Sequence, residues 1–205
     1  MKSISRLLLI LLLLQTAACK KNEARNNDNE IVKDDIVHET KDIISKAEST
    51  GNQIDVLEET TPMSQKDYQD WLPKVILDLP LKSSSEKNNA EIPQQGILAI
   101  YESEDKKIEL RITDMVGEQA SLFPVFLNTI GKERNNRESG SYYKKAVKKQ
   151  GYVANEIYEK GSNPYSFLRF IHNDRYLVNI KANGFTPDDL WEHLNEFKLK
   201  NLQLE

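Results

Sequence analysis

Residues 107–114 constrain the fold most, because their apolar and polar side chains alternate without a break. Ile108, Leu110 and Ile112 point one way, and Glu109, Arg111 and Thr113 the other. Successive side chains of a strand leave opposite faces, so this pattern describes a strand with one face buried and one wet. Such a strand is not stable alone or in a bare hairpin and requires a sheet with a covered face. Further strand-forming segments supply it: residues 96–103, 142–149, 152–159, 165–172 and 175–182. Gln150-Gly151 and Asn173-Asp174 sit between the last two pairs, and glycine, asparagine and aspartate are the residues that accept the positive φ of tight hairpin turns. Tyr176, Val178, Ile180 and Ala182 line one face of the last strand. About six strands joined by hairpins specify a mainly antiparallel sheet.

Helices fall before, between and after these strands. Ser64 with Asp67 three residues later forms a capping box, after which Tyr68, Trp71 and Leu72 share a face. Pro73 and Pro80 punctuate the segment that follows, and residues 82–95 and 132–140 are polar connections. A second helix spans 117–130, with Phe123, Phe126, Leu127 and Ile130 as its apolar stripe and Pro124 in a first turn or at a kink. Thr186 caps the last helix, Pro187 takes its first position, and Leu190, Trp191, Leu194 and Phe197 form its buried face. The order αββαββββα, with two to three helices, predicts an α+β domain over residues 63–205.

What precedes that domain is different in kind. Lys2 and Arg6 lead into the apolar run 7–14, which is too short to span a bilayer and fits the apolar part of a cleaved export signal. Ala17, Ala18 and Cys19 follow, and Cys19 is the only cysteine in the chain. This arrangement resembles bacterial lipoprotein signal peptides, with Thr16 in place of the commoner leucine. The resemblance implies a signal at 1–18, a diacylglyceryl group on Cys19, and attachment to the membrane through N-terminal acyl chains. Each buried methylene contributes about 0.8 kcal/mol, so two or three chains hold the protein permanently. Lys20 rather than aspartate after the cysteine implies the outer membrane, facing the periplasm. Residues 19–62 read as the lipidated N-terminus and an acidic tether. As a flexible coil the tether reaches roughly 35–40 Å. Val32, Ile36, Ile43 and Ala47 recur near a helical period, which allows a short helix near 31–47.

Charge separates the same two parts. Residues 20–70 hold 7 basic and 13 acidic side chains, whereas those from Trp71 onward hold 19 of each. A balanced domain behind an acidic lead-in argues against nucleic acid as a partner. The element order, with Trp71-Leu72-Pro73, Ile112-Thr113-Asp114 and the closing amphipathic helix, resembles uncharacterised bacterial envelope proteins and the Mog1/PsbP-type fold. That resemblance implies a binding or assembly module rather than an enzyme.

No segment carries a recognised catalytic or cofactor motif. His38, His172 and His193 have no metal-ligand spacing, and there is no G-x-S-x-G, phosphate loop or dinucleotide fingerprint. No metal or other cofactor is therefore expected. Three features remain. Asp114 ends a strand, where its carboxylate is expected to cap the following turn. Lys132, Arg134, Arg137, Lys144, Lys145, Lys148 and Lys149 form a basic stretch able to meet an anionic envelope component. Lysines on both faces of one strand also protect a sheet edge from pairing with other chains. Tyr165, Phe167 and Arg169 share a strand face and either border a groove or pack in a core beneath a snorkelling arginine. These residues predict a non-catalytic envelope module that binds a protein or envelope component. The alternatives are a periplasmic hydrolase using dispersed carboxylates or histidines, and a small-ligand carrier.

Overall fold

The computed structural model describes residues 48–85 and 95–202. The alternating segments assemble into one antiparallel sheet of nine strands. They are β1 (Val75–Ile76), β2 (Leu79–Ser85), β3 (Gly96–Glu102), β4 (Lys107–Asp114), β5 (Arg137–Ser139), β6 (Tyr142–Lys149), β7 (Tyr152–Glu159), β8 (Tyr165–His172) and β9 (Tyr176–Asn183). Their spatial order is β1-β2-β3-β4-β9-β8-β7-β6-β5. Two runs of hairpins, β1 to β4 and β5 to β9, are thus joined along a single ladder between β4 and β9. That ladder runs from Lys107 opposite Asn183 to Asp114 opposite Tyr176.

The antiparallel α+β class is as expected, but nine strands replace about six. The additional ones lack apolar alternation. In β2 only Leu79 is buried, its second half being Lys82 and three serines, and β5 is exposed throughout. β1 and β2 are joined by Leu77 and Asp78 at φ 46° and 62°. Leu77 holds this conformation with its N–H donating to Glu196 Oε2 at 2.7 Å. Pro80 is tolerated because β2 meets only the two-residue β1 on that side.

Among the described residues the α-helices are α1 (residues 48–59, from the first described residue), α2 (Gln65–Trp71), α3 (Phe123–Thr129) and α4 (Pro187–Glu192), the last two shorter than their periodicity suggested. The expected helix at 117–130 divides into a 3-10 turn, Gly117–Leu122, and α3, with Pro124 in the first turn of α3. The expected capping box of Ser64 with Asp67 is formed, and the expected Thr186 cap forms a second one with Asp189. One face of the sheet carries the main core, in which Tyr68 and Trp71 of α2 and Leu190 and Trp191 of α4 cover Ile108, Leu110, Leu168, Phe170 and Ile180. Trp71 Nε1 donates to the Lys198 carbonyl at 3.0 Å, tying α2 to the C-terminal segment.

The opposite face carries a smaller cluster at one end, in which Leu57 of α1 packs with Met115, Val116, Phe123, Ile130 and Leu177. Leu57 is 1% exposed, so the folded part begins before residue 63 and the tether expected to reach 62 ends by α1. Ile54 and Leu57, three residues apart, make only one apolar turn, too short a repeat to mark that boundary in the sequence. The signal at 1–18, Cys19, the helical repeat near 31–47 and residues 86–94 of the polar connection lie outside the described residues.

Candidate functional site

The face opposite the main core is only partly covered, and the ladder registers determine what it displays. Arg169, Asn179 and Arg111 stand opposite one another on β8, β9 and β4, and Phe167, Lys181 and Glu109 form the next row. α3 closes one end and brings Phe126 over these rows. Its position is fixed at the exit, where Gly131 N–H donates to Asn155 Oδ1 at 2.9 Å. Gly131 has φ 71°, and a Cβ there would lie 2.1 Å from Val153 Cγ1, so no other residue fits without displacement.

Between α3 and these rows lies a groove of about 240 Å³. Its charges are unequally committed. Glu109 meets Lys181 at 3.3 Å and Arg111 at 3.8 Å. Arg169 has a different environment: its Nε donates to Asn179 Oδ1 at 2.6 Å, and its guanidinium lies 5.2 Å from the Phe167 ring and 6.0 Å from the Phe126 ring. Among the described residues, no carboxylate pairs with it. Burial pulls its pKa below the usual arginine value. A guanidinium stacked on aromatic faces with its terminal nitrogens uncommitted is arranged to receive a planar anion.

Of the three residues expected to share a groove face, Phe167 and Arg169 line this groove, and Tyr165 stands one row further along β8. Arg111, Glu109, Asn179, Lys181 and Phe126 complete it. Their facing was legible from alternation, but β4 becomes the neighbour of β9 only in the folded sheet.

Asp114 lies outside the groove. It is fully buried, and instead of capping the next turn it receives Arg175 through Nε at 2.6 Å and Nη2 at 2.7 Å. Its Oδ2 also accepts the Met63 N–H at 3.1 Å, and Arg175 Nη2 donates to the Thr61 carbonyl at 3.1 Å. This clamp holds the segment between α1 and α2 against the start of β9. Burial pulls Arg175 down, but the hydrogen bonds and charge of Asp114 outweigh it and its pKa is raised. The neighbouring Tyr176 hydroxyl is pushed up to about 12, by burial first and then by Asp114.

The basic stretch does not form one patch. Lys145 and Lys149 lie on the main-core face of β6, and Lys144 and Lys148 on the other. Lys149 meets Asp188 at 2.9 Å and Glu156 at 3.4 Å, while Lys145 approaches Glu138 at 3.7 Å and the Tyr143 ring at 4.3 Å. β5 covers only residues 142–144 of β6, so the lysines that follow flank the open edge. Lys132, Arg134 and Arg137 precede or lie in β5. Buried Glu156 is satisfied by Trp191 Nε1 at 2.8 Å and the Tyr143 hydroxyl at 2.7 Å.

The histidines lie apart. His172 is buried, with Nδ1 2.7 Å from the Tyr152 hydroxyl, and burial lowers its pKa, partly offset by the Leu199 backbone. His193 ends α4 with Nδ1 2.9 Å from the Asp189 carbonyl. His38 lies outside the described residues. Among the described residues, no group of three or more His, Cys, Asp or Glu side chains is placed to hold a metal ion, and no helix is long and apolar enough to cross a membrane. No known protein-family model, curated protein or solved structure matches the chain.

Proposed function

We propose that the protein is a lipid-anchored cell-envelope component, held through acyl chains on Cys19 at the outer membrane and facing the periplasm, whose α+β domain is a non-catalytic binding module. The observation that carries the binding role is Arg169, half-buried between two aromatic rings in an open groove and paired with no carboxylate of the described residues. An arginine committed to stability would be matched by a carboxylate, as Arg175 is by Asp114. The anchor and localisation rest on the Ala17-Ala18-Cys19 sequence. The hydrolase alternative draws less support, because the buried carboxylate Asp114 and the two described histidines, His172 and His193, stand away from the groove.

The test places a photoreactive benzoylphenylalanine at Lys181, which lines the groove with its side chain 47% exposed. In intact cells, adducts are expected from this position and not from Lys200, and Arg169→Gln should abolish them. Equal capture from both positions would overturn the groove as the binding face. Mass spectrometry of the mature N-terminus tests the anchor: a thioether-linked diacylglyceryl Cys19 is expected, and an unmodified cysteine or cleavage elsewhere would remove it.

A further inference from the structure

The groove's charge arrangement specifies more than a site. Resting on the binding role above, we infer that it takes a carboxylate monoanion with a flat apolar body, the carboxylate seated on the Arg169 guanidinium and the body against Phe167 and Phe126.

The chemistry follows from what each charge is already doing. Glu109 is shared between Lys181 at 3.3 Å and Arg111 at 3.8 Å, one carboxylate between two cations, so each of those cations already has an anionic partner. Arg169 has no such partner among the described residues: Asn179 accepts from its Nε, which orients the fork and leaves the terminal nitrogens for an incoming acceptor. A carboxylate matches that planar fork with two parallel hydrogen bonds. The Phe167 ring, 8% exposed, lies 5.2 Å from the guanidinium and the half-buried Phe126 ring 6.0 Å from it, and Phe126 with the exposed edge of Phe167 offers apolar surface next to the anion seat. Glu109 in the same groove opposes a second anionic charge, so a phosphate monoester, a dianion with a tetrahedral set of acceptors, is the comparison that tests the preference. A volume of about 240 Å³ suits a small organic acid or the last residue of a peptide ending in a free carboxylate. Those two sources present the same chemistry at Arg169.

Ligand-observed fluorine NMR on the full-length protein in detergent tests the assignment with three probes: 3-(4-fluorophenyl)propionate, its primary amide, and 4-fluorophenyl phosphate. The carboxylate is expected to saturate at millimolar concentration. The amide, which lacks the charge-assisted pair, should bind about tenfold more weakly or worse. Arg169→Gln and Arg169→Lys should both weaken the carboxylate by about tenfold, because an ammonium cannot reproduce the fork. Glu109→Gln should improve the phosphate more than the carboxylate. Equal binding of acid and amide to the wild-type protein would overturn the inference without reliance on any variant, as would no saturable binding of the acid. A phenylalanine amide at the end of a short peptide, compared with the same peptide ending in a free carboxylate, separates the two sources. Should acid and amide bind alike while crosslinks from Lys181 persist in cells, the groove remains a binding face but not one selected by carboxylate charge. Loss of the crosslinks alone removes the groove's cellular role.

Discussion

Asp114 and Arg175 show how far a side chain's role depends on what it meets. Both are almost completely buried, at 0% and 2% exposure, and each is the other's compensation. Asp114→Ala leaves the arginine charge in the interior, and loss of one partner of such a pair destabilises by about 3–5 kcal/mol. Urea denaturation should show that loss, and the Asp114→Ala/Arg175→Leu double variant should lose less than the two single variants combined. His172 supplies a different signal. Its folded-state pKa lies below the ordinary value because burial disfavours the imidazolium. The unfolded chain therefore binds the proton more readily, so the stability that depends on neutral His172 is complete above the ordinary histidine pKa of about 6.5 and is lost as pH falls from there toward the lower folded value. The thermal midpoint should decline across that interval. His172→Gln should flatten the decline, and an unchanged slope in the variant would remove His172 as its origin.

Among elements, the hairpins carry the most testable local detail. Asn173 and Asp174 both adopt left-handed conformations, at φ 50° and 48°, between β8 and β9. Asp174→Gly removes the Cβ penalty there and should stabilise the domain by about 0.5–1 kcal/mol. Asn173→Val places a β-branched side chain in the same region and should destabilise by about 1–2 kcal/mol. Guanidinium unfolding of the two variants reads both signs. This turn also touches α1, through Gln53 Nε2 to the Asp174 carbonyl at 3.3 Å, so the effect on α1 should be visible in its amide exchange. The β8–β9 hairpin was legible because Asn-Asp between two alternating runs is a local signal. β5, an edge strand, and β2, beside only the two-residue β1, were not, since such strands need only backbone pairing and their side chains here are largely polar.

At the scale of the whole molecule, two hairpin runs are held together by the β4–β9 ladder, and the small cluster around Leu57 seals one end of the face that bears the groove. Leu57→Ala should destabilise by about 2–4 kcal/mol in urea titrations, because the leucine is almost fully buried and its neighbours are rigid strand and turn residues. A loss near zero would return α1 to the lead-in segment. The sequence by itself determined the antiparallel α+β class, the six principal strands, the Ser64 capping box, the Thr186 cap and the faces on which Phe167, Arg169, Glu109 and Arg111 stand. These follow from period-two alternation and short-range hydrogen bonding, which act within a few residues. Only the tertiary structure decided that β9 inserts between β4 and β8, that Asp114 is matched by Arg175 rather than by its own turn, and that Arg169 meets no carboxylate of the described residues while Glu109 is shared by two cations. Those outcomes depend on which strands become neighbours. That choice is made by burial and ladder pairing between segments far apart in the chain, for which no local pattern exists.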